Sequence, residues 1–364
     1  MNNINFRGEL YNCIEVEPNE EFGFNFPFMI IIPNKFNDDA RLVYACNLPK
    51  PIMDECSSFE EVLLHTKKNL NSIDPIHMHL FRDLGNPLLI PFVPRTKEFR
   101  PNFLGEDILK NDFSTAIDFK FKDELPRYNN LIDQHKNMIN YGVKMLKESE
   151  IDVPEKVIMA GYSEGSKFAS HFALIHPECL DTVILGGTAG ATALPISEYN
   201  GYTFNYPIGV ANIPNFNYDT YKQISFFEYQ GEDDLSDPAL PKFKVYHYME
   251  NGEEKELVDE GGNKSPFKDG KQVTPFLQDE NGNYTAMYNL FSDDTVNSLN
   301  KAFGTRGIDR FKKQNEIFDD LGLNAEFHMY PGNHRTVFNN KEQIFNDIDS
   351  FLNRNMNKNN HFIK

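Results

Sequence analysis

The chain has 364 residues, 40% of them hydrophobic, and a formal net charge of −18. That is enough apolar material for one large α/β domain with insertions, or for two domains. The acidic balance speaks against a nucleic acid or an anionic membrane surface as main partner, because both need a basic face.

The opening residues MNNINFRGELYNC contain no basic segment followed by an apolar run, so no secretory leader is expected here. No apolar run reaches the roughly 18 residues of a membrane span. Cys13, Cys46, Cys56 and Cys179 are widely spaced, with no C-x-x-C pair, which is the pattern of reduced core thiols rather than of a disulfide framework. A reducing cytoplasm is the expected compartment; secretion would require a leader already removed.

The first segment reads as sheet. FRGELYNCIEVEP and FPFMIIIPN are β-rich runs broken by Pro, Asn and Gly, and RLVYAC (Arg41 to Cys46) is a further strand. A polar, helix-like stretch follows, then DPIHMHLFRDLG as a short helix stopping at Gly85, and PLLIPFV (Pro87 to Val93) as a buried strand. From Leu125 to Glu150, the apolar residues Ile132, Ile139, Val143 and Leu146 keep the 3.6-residue period of a helix. Strands and helices then alternate. KVIMA leads into a helix from Ser166, DTVILGG and ISFFEYQG are strands, RFKKQNEIFDDLG is a helix, AEFHMYPG is a strand, and a last helix carries Ile344, Ile348, Phe351 and Leu352. This alternation predicts a mostly parallel sheet flanked by helices.

Two stretches break the rhythm. Residues 191–221 are rich in Pro, Asn, Gly and aromatics without a period; residues 241–290 carry the turn signals ENGEE, KDGK and DENGN between β-formers, which predicts β-hairpins. Both are expected to be insertions over one end of the sheet within a single domain, 1–364, and could form a cap or lid. Their aromatics, Tyr199, Tyr202, Phe204, Tyr206, Phe216 and Tyr218 in the first and Tyr246, Tyr248, Phe276, Tyr284 and Tyr288 in the second, are expected to pack the loops down more than to line a pocket.

The segment VIMAGYSEGSKFASHFALIHPE holds the chemistry. A serine between a buried strand and a helix must sit on a sharp turn, and glycines two residues before and after it let the backbone make that turn. The turn lifts the Ser163 hydroxyl above the carboxyl end of the sheet and next to a helix N-terminus, where backbone N–H groups favour developing negative charge. A serine hydroxyl needs a base, and the base an orienting carboxylate. Candidates follow in the order Ser, acid, His, each after a later strand. GEDDLSDP offers Asp234, with Asp237 and then Asp233 as alternatives, and GNHRTVF offers His334. His328 lies within its strand and is expected in the core. His171 and His176, on the helix after Ser163, cannot easily fold back onto it. His77 and His79 have a poor ligand spacing and no metal is expected.

In GYSEG, GEDDLSDP and YPGNH the chain resembles serine hydrolases of the α/β-hydrolase fold, from Arg41 to the C-terminal helix, and within that superfamily bacterial esterase and peptidase-like relatives. The resemblance implies an oxyanion hole made by the backbone N–H of Glu164 and by one N–H from Leu48 or Asn47; Pro49 has none to give. The His-Gly-Gly motif of lipase-type relatives is absent. It further implies acyl transfer without a cofactor: Ser163 attacks an ester carbonyl, His334 moves the proton, and Asp234 holds the imidazole. Carboxylic-ester hydrolysis of a small-molecule or acylated substrate is the leading reading. A serine peptidase or acyltransferase on the same triad, and an inactive binding module of this fold, stay open. The sequence does not speak to the oligomeric state.

Overall fold

The computed structural model describes residues 2–46, 56–68, 74–93, 126–188, 193–234, 244–250, 253–259, 267–268, 271–272, 275–278, 284–286, 298–299, 301–304 and 307–359. The first β-rich run is two strands, β1 (Asn2–Phe6) and β2 (Glu9–Val16). Arg7 and Gly8 separate them with φ of 51° and 88°; two consecutive left-handed residues make the tight turn whose twist suits a hairpin. β3 (Phe28–Ile32), β4 (Val43–Ala45), α1 (Phe59–Lys68), the short α2 (Pro75–Met78) and β5 (Leu88–Pro91) follow. After α2 a π-helical turn, His79–Asp83, runs to Gly85 at φ 68°, where a Cβ would fall 2.6 Å from the Lys35 carbonyl oxygen.

The long helix α3 spans Leu131–Glu148, shorter than its apolar period suggests, because Asn130 takes φ 53° and cannot continue a right-handed helix. The remaining alternation is β6 (Val157–Tyr162), α4 (Glu164–Ile175) and β7 (Leu180–Gly186). In the first insertion come β8 (Glu198–Tyr199), β9 (Tyr202–Thr203) and α5 (Tyr218–Tyr221), and after it β10 (Ser225–Gly231).

The second insertion contributes three antiparallel hairpins at the three turn signals: β11 (Lys244–Glu250) with β12 (Glu253–Asp259), β13 (Phe267–Lys268) with β14 (Lys271–Gln272), and β15 (Pro275–Gln278) with β16 (Tyr284–Ala286). α6 (Gly307–Asp320), β17 (Asn324–Tyr330), the one-turn α7 (Thr336–Asn339) and α8 (Lys341–Asn359) complete the chain.

The central sheet has nine strands in the order β1-β2-β3-β5-β4-β6-β7-β10-β17. The first three pairings, β1–β2, β2–β3 and β3–β5, are antiparallel, and every pairing from β5 to β17 is parallel. Strands buried on both faces read as continuous apolar runs, and alternate residues divide between two cores. Phe28, Ile30, Met159, Val183 and Phe226 pack with α3, α4 and α6 on one face; Met29, Ile31, Ile158, Ile184 and Phe227 pack with Ile76, Leu80, Phe81 and α8 on the other. The chain thus has the α/β-hydrolase type of architecture, a mostly parallel sheet covered by helices on both faces.

The first insertion holds more regular structure than its sequence suggests. Asn200 and Gly201, at φ 50° and 79°, close a two-residue hairpin too short to show a period. Its rings are used for packing: Tyr199 and Phe204 lie 5.3 and 5.0 Å from Phe303, and Phe204 and Tyr206 are buried. The side chains of Tyr246, Tyr248, Phe276 and Tyr284, and the whole of Tyr288, lie outside the described residues.

Candidate active site

Parallel strands bring their carboxyl ends to one edge of a sheet, where ligands collect in open α/β folds. β6, β10 and β17 end there in the three loops that carry the candidate residues. At the end of β6, Ser163 adopts φ 56° and ψ −116°. For a residue with a side chain this left-handed φ costs about 1–3 kcal/mol and must be held by its surroundings. The Ser163 N–H donates to the Gly186 carbonyl at 2.8 Å, and the Ser163 carbonyl accepts from the Ser166 N–H at 3.1 Å and the Ser166 hydroxyl at 2.5 Å. The turn closes so tightly that a Cβ on Gly161 would lie 2.2 Å from the Gly165 carbonyl oxygen, so only glycine fits there. α4 begins at Glu164 rather than Ser166, directly after the serine, and the Glu164 N–H is in the first turn, where helical N–H groups have no partner within the helix.

Acid and base come from the neighbouring strands β10 and β17. The Asp234 side chain is 1% exposed, and the Nδ1 of His334 lies 2.7 Å from its Oδ2, with Nδ1–H donating to the carboxylate. Asp233 is exposed, and Asp237 lies outside the described residues.

Backbone contacts join the two loops and close the acid turn. The Glu232 and Asp233 N–H groups donate to the Tyr330 and Gly332 carbonyls at 2.8 and 2.9 Å. A Cβ on Gly231 would sit 2.3 Å from the Asn333 carbonyl oxygen and 2.5 Å from that of Gly332. The Asp234 N–H closes its own turn onto the Gly231 carbonyl at 3.1 Å.

The His334 ring is fixed on two further sides. The Tyr162 ring lies 5.2 Å away at 32°, and a Cβ on Gly187, which has φ 61°, would come within 3.0 Å of His334 Cε1. Gly186 accepts from the Ser163 N–H, and its neighbour Gly187 abuts His334. The nucleophile candidate and the base candidate therefore flank one glycine pair at the end of β7. Burial, reinforced by the nearby Asp234 carboxylate, raises the Tyr162 phenol above its ordinary range and keeps it neutral.

Sequence reasoning missed Tyr162 and Gln230. Gln230 is fully buried on β10 and donates from Nε2 to Asp234 Oδ2 at 2.5 Å. The available signal was the strand SFFEYQG, in which Glu228 and Gln230 place two polar residues on one face of a buried strand. The oxyanion candidates Asn47 and Leu48 lie outside the described residues.

The other histidines weighed from the sequence are engaged elsewhere. His77 is fully buried with Nε2 at 2.8 Å from the Ala160 carbonyl, and burial lowers its pKa. His79 bridges Asp83 and Asp349 at 3.1 and 2.7 Å, and His176 bridges Asp133 and Glu178 at 2.8 and 3.2 Å. His171 is buried against the Tyr206 ring, 5.5 Å away. His328 is half-buried rather than a core residue, stacked on Phe227 at 4.8 Å and paired with Glu326 at 3.3 Å, because β17 is an edge strand. None of the four cysteines forms a disulfide, and Cys13, Cys56 and Cys179 are buried. Among the described residues no helix is long and apolar enough to cross a membrane.

No protein-family model matches the sequence, and no curated protein does. Among solved structures the chain is similar to poly(aspartic acid) hydrolase-1 from Sphingomonas sp. KT-1, with 10% identity over 88% of this chain and 91% of that one and a TM-score of 0.42. It is similar to a poly(3-hydroxybutyrate) depolymerase from Bordetella parapertussis, with 12% identity over 88% and 84% and a TM-score of 0.40. A siderophore hydrolase from Aspergillus nidulans is similar at 11% identity over 95% and 94%, with a TM-score of 0.36. Likenesses this distant leave substrate and reaction to be argued from the residues of this chain. By its own sheet order, the sharp turn at Ser163 and the succession of Ser163, Asp234 and His334 after β6, β10 and β17, the chain has the fold of the α/β-hydrolase superfamily.

Proposed function

We propose that the protein is a serine hydrolase that cleaves carboxylic esters of small-molecule or acylated substrates through an acyl-enzyme. The observation that carries this reading is the 2.7 Å bond between His334 Nδ1 and the buried Asp234 carboxylate, linked to the strained turn of Ser163 through the Gly186–Gly187 pair. With Nδ1–H given to Asp234, the Nε2 of His334 is the basic nitrogen, which is the tautomer a serine nucleophile needs.

In the proposed cycle His334 takes the Ser163 proton as Oγ attacks the carbonyl carbon. The imidazolium so formed is stabilised by Asp234, whose burial keeps that interaction out of bulk water. The oxyanion is received by the Glu164 N–H and by a second N–H from the Asn47–Leu48 stretch, each such donor being worth about 3 kcal/mol. His334 then protonates the departing alkoxide, and water repeats the sequence to free the acid and Ser163. This chemistry needs no cofactor. The second insertion, 241–290, is assigned to the same single domain as a cap bearing on substrate choice.

Turnover of a p-nitrophenyl ester series and labelling by a fluorophosphonate test the reading. The wild type should be labelled at Ser163, and Ser163→Ala should lose labelling and about 10⁴-fold or more of the ester turnover. A folded wild type that neither labels nor turns over would overturn the proposal in favour of a binding role on the same fold. Amide turnover exceeding ester turnover would point to a peptidase.

A further inference from the structure

The acid of the candidate triad does not meet His334 alone. Asp234 Oδ2 accepts from His334 Nδ1–H at 2.7 Å and from Gln230 Nε2–H at 2.5 Å, two donors on one oxygen. Gln230 is fully buried. Its strand places it on the face shared by Phe226 and Glu228, where α6 packs: Phe226 meets Phe318 at 5.4 Å, and Gln314 donates to Glu228 at 2.7 Å. An amide in such a place costs free energy unless its hydrogens are used. Here one is spent on the carboxylate that orients the base.

We propose that Gln230 is a positioning residue for the triad, fixing the rotation of the Asp234 carboxylate and drawing off part of its charge so that the proton affinity of His334 is held down. A carboxylate whose oxygen already receives a hydrogen bond attracts the imidazolium less strongly. Without Gln230 one donor is gone from Oδ2, more of its charge faces His334, and the cation is held more strongly. Among the described residues, the titratable groups near the pair include Tyr162 from β6, whose ring lies 5.2 Å from His334, Glu232 and Asp233 on the acid loop, and Arg335 next to the base in sequence. None of them is removed by changing Gln230. The consequence for turnover rests on the proposed hydrolase reading, but the proton affinity of His334 does not.

The test is the titration of the His334 imidazole, followed by NMR of the full-length protein and assigned with His334→Gln. Gln230→Met keeps the length of the side chain and removes the donor. It should raise the His334 midpoint by about one pH unit, a tenfold gain in proton affinity. It should also move the acid limb of fluorophosphonate labelling by the same amount. Gln314→Met removes a buried amide one layer away and should leave the midpoint in place. If Gln230→Met does not fold, the wild type still decides, because the Gln230 side-chain amide resonances should shift with the His334 midpoint. An unmoved midpoint in Gln230→Met, an equal shift in Gln314→Met, or amide resonances of Gln230 blind to that titration would each overturn the proposal. A wild type that titrates as expected but takes no fluorophosphonate would reject the hydrolase reading and leave the role of Gln230 standing.

Discussion

Replacing Gly231 with alanine puts a methyl group where two loops touch. The Cβ would lie 2.3 Å from the Asn333 carbonyl oxygen and 2.5 Å from that of Gly332. Both obstacles are backbone, so no flexible side chain can swing aside, and reaching ordinary contact requires the loops to part by about 1 Å. If that displacement falls on the acid and base, their 2.7 Å hydrogen bond opens to beyond the usual limit of about 3.2 Å. A misplacement of this size costs about 10² in rate, and complete loss of the acid's function about 10⁴. Gly231→Ala should therefore fold, lose roughly 10² in the second-order rate of fluorophosphonate labelling at pH 8, and lose ester turnover in step. Gly201→Ala supplies the control. It carries its own backbone penalty at φ 79°, but its Cβ would meet nothing within 4 Å. A folded Gly231→Ala that labels at the wild-type rate would refute the claim that contact between the two loops sets the acid–base geometry.

Two further perturbations concern pH and stability. Glu228 is fully buried and its pKa is pushed up to about 8 by burial, so the folded state holds a proton that the unfolded chain gives up near its ordinary value of 4.5. Stability should therefore fall as pH rises between those two values. Glu228→Gln should be close to neutral at pH 4 and stabilising by on the order of 3 kcal/mol at pH 7.5; urea midpoints at the two pH values measure this, and equal shifts at both would refute it. Burial alone would lower the pKa of His176, but its hydrogen bonds to Asp133 and Glu178 outweigh burial and raise it. Its contribution is complete below the ordinary histidine value and fades as pH climbs through the raised one. His176→Gln should cost about 1 kcal/mol at pH 5.5 and little at pH 8.5, and a larger loss at the higher pH would refute the assignment.

The parts of the fold that could be read from the sequence are those that local chemistry decides. The strands on either side of ENGEE, KDGK and DENGN pair antiparallel, and in GYSEG a serine between glycines ends a strand and starts a helix. Element boundaries failed where a single backbone conformation overrode the pattern. Asn130 at φ 53° delays α3, and α4 starts at Glu164, two residues early, because the missing Cβ of Gly161 lets the Gly165 carbonyl close in. The order of the strands could not be read. β5 slipping between β3 and β4 depends on pairings between segments distant in sequence, about which hydrophobic period is silent. The same holds at the site. Three aspartates stand within one loop, and only the fold turns the carboxylate of Asp234 toward His334 while leaving Asp233 in solvent. Gln230 shows in the sequence only as a second polar residue on one face of a buried strand; its partner shows once that strand and the acid loop are seen together.

The position of β17 in the sheet has a consequence of its own. It is the outermost strand, hydrogen-bonded to β10 along one side, and every residue from Asn324 to Met329 is only partly buried. The serine, by contrast, hangs from β6, with strands on either side. Margins of a sheet open more readily than its middle. The proposed proton carrier thus rides on a margin of the sheet, while the proposed nucleophile rides on an inner strand. Warming or mild denaturant would therefore unhitch His334 from an otherwise intact body, and the proposed hydrolysis would cease before the protein melts.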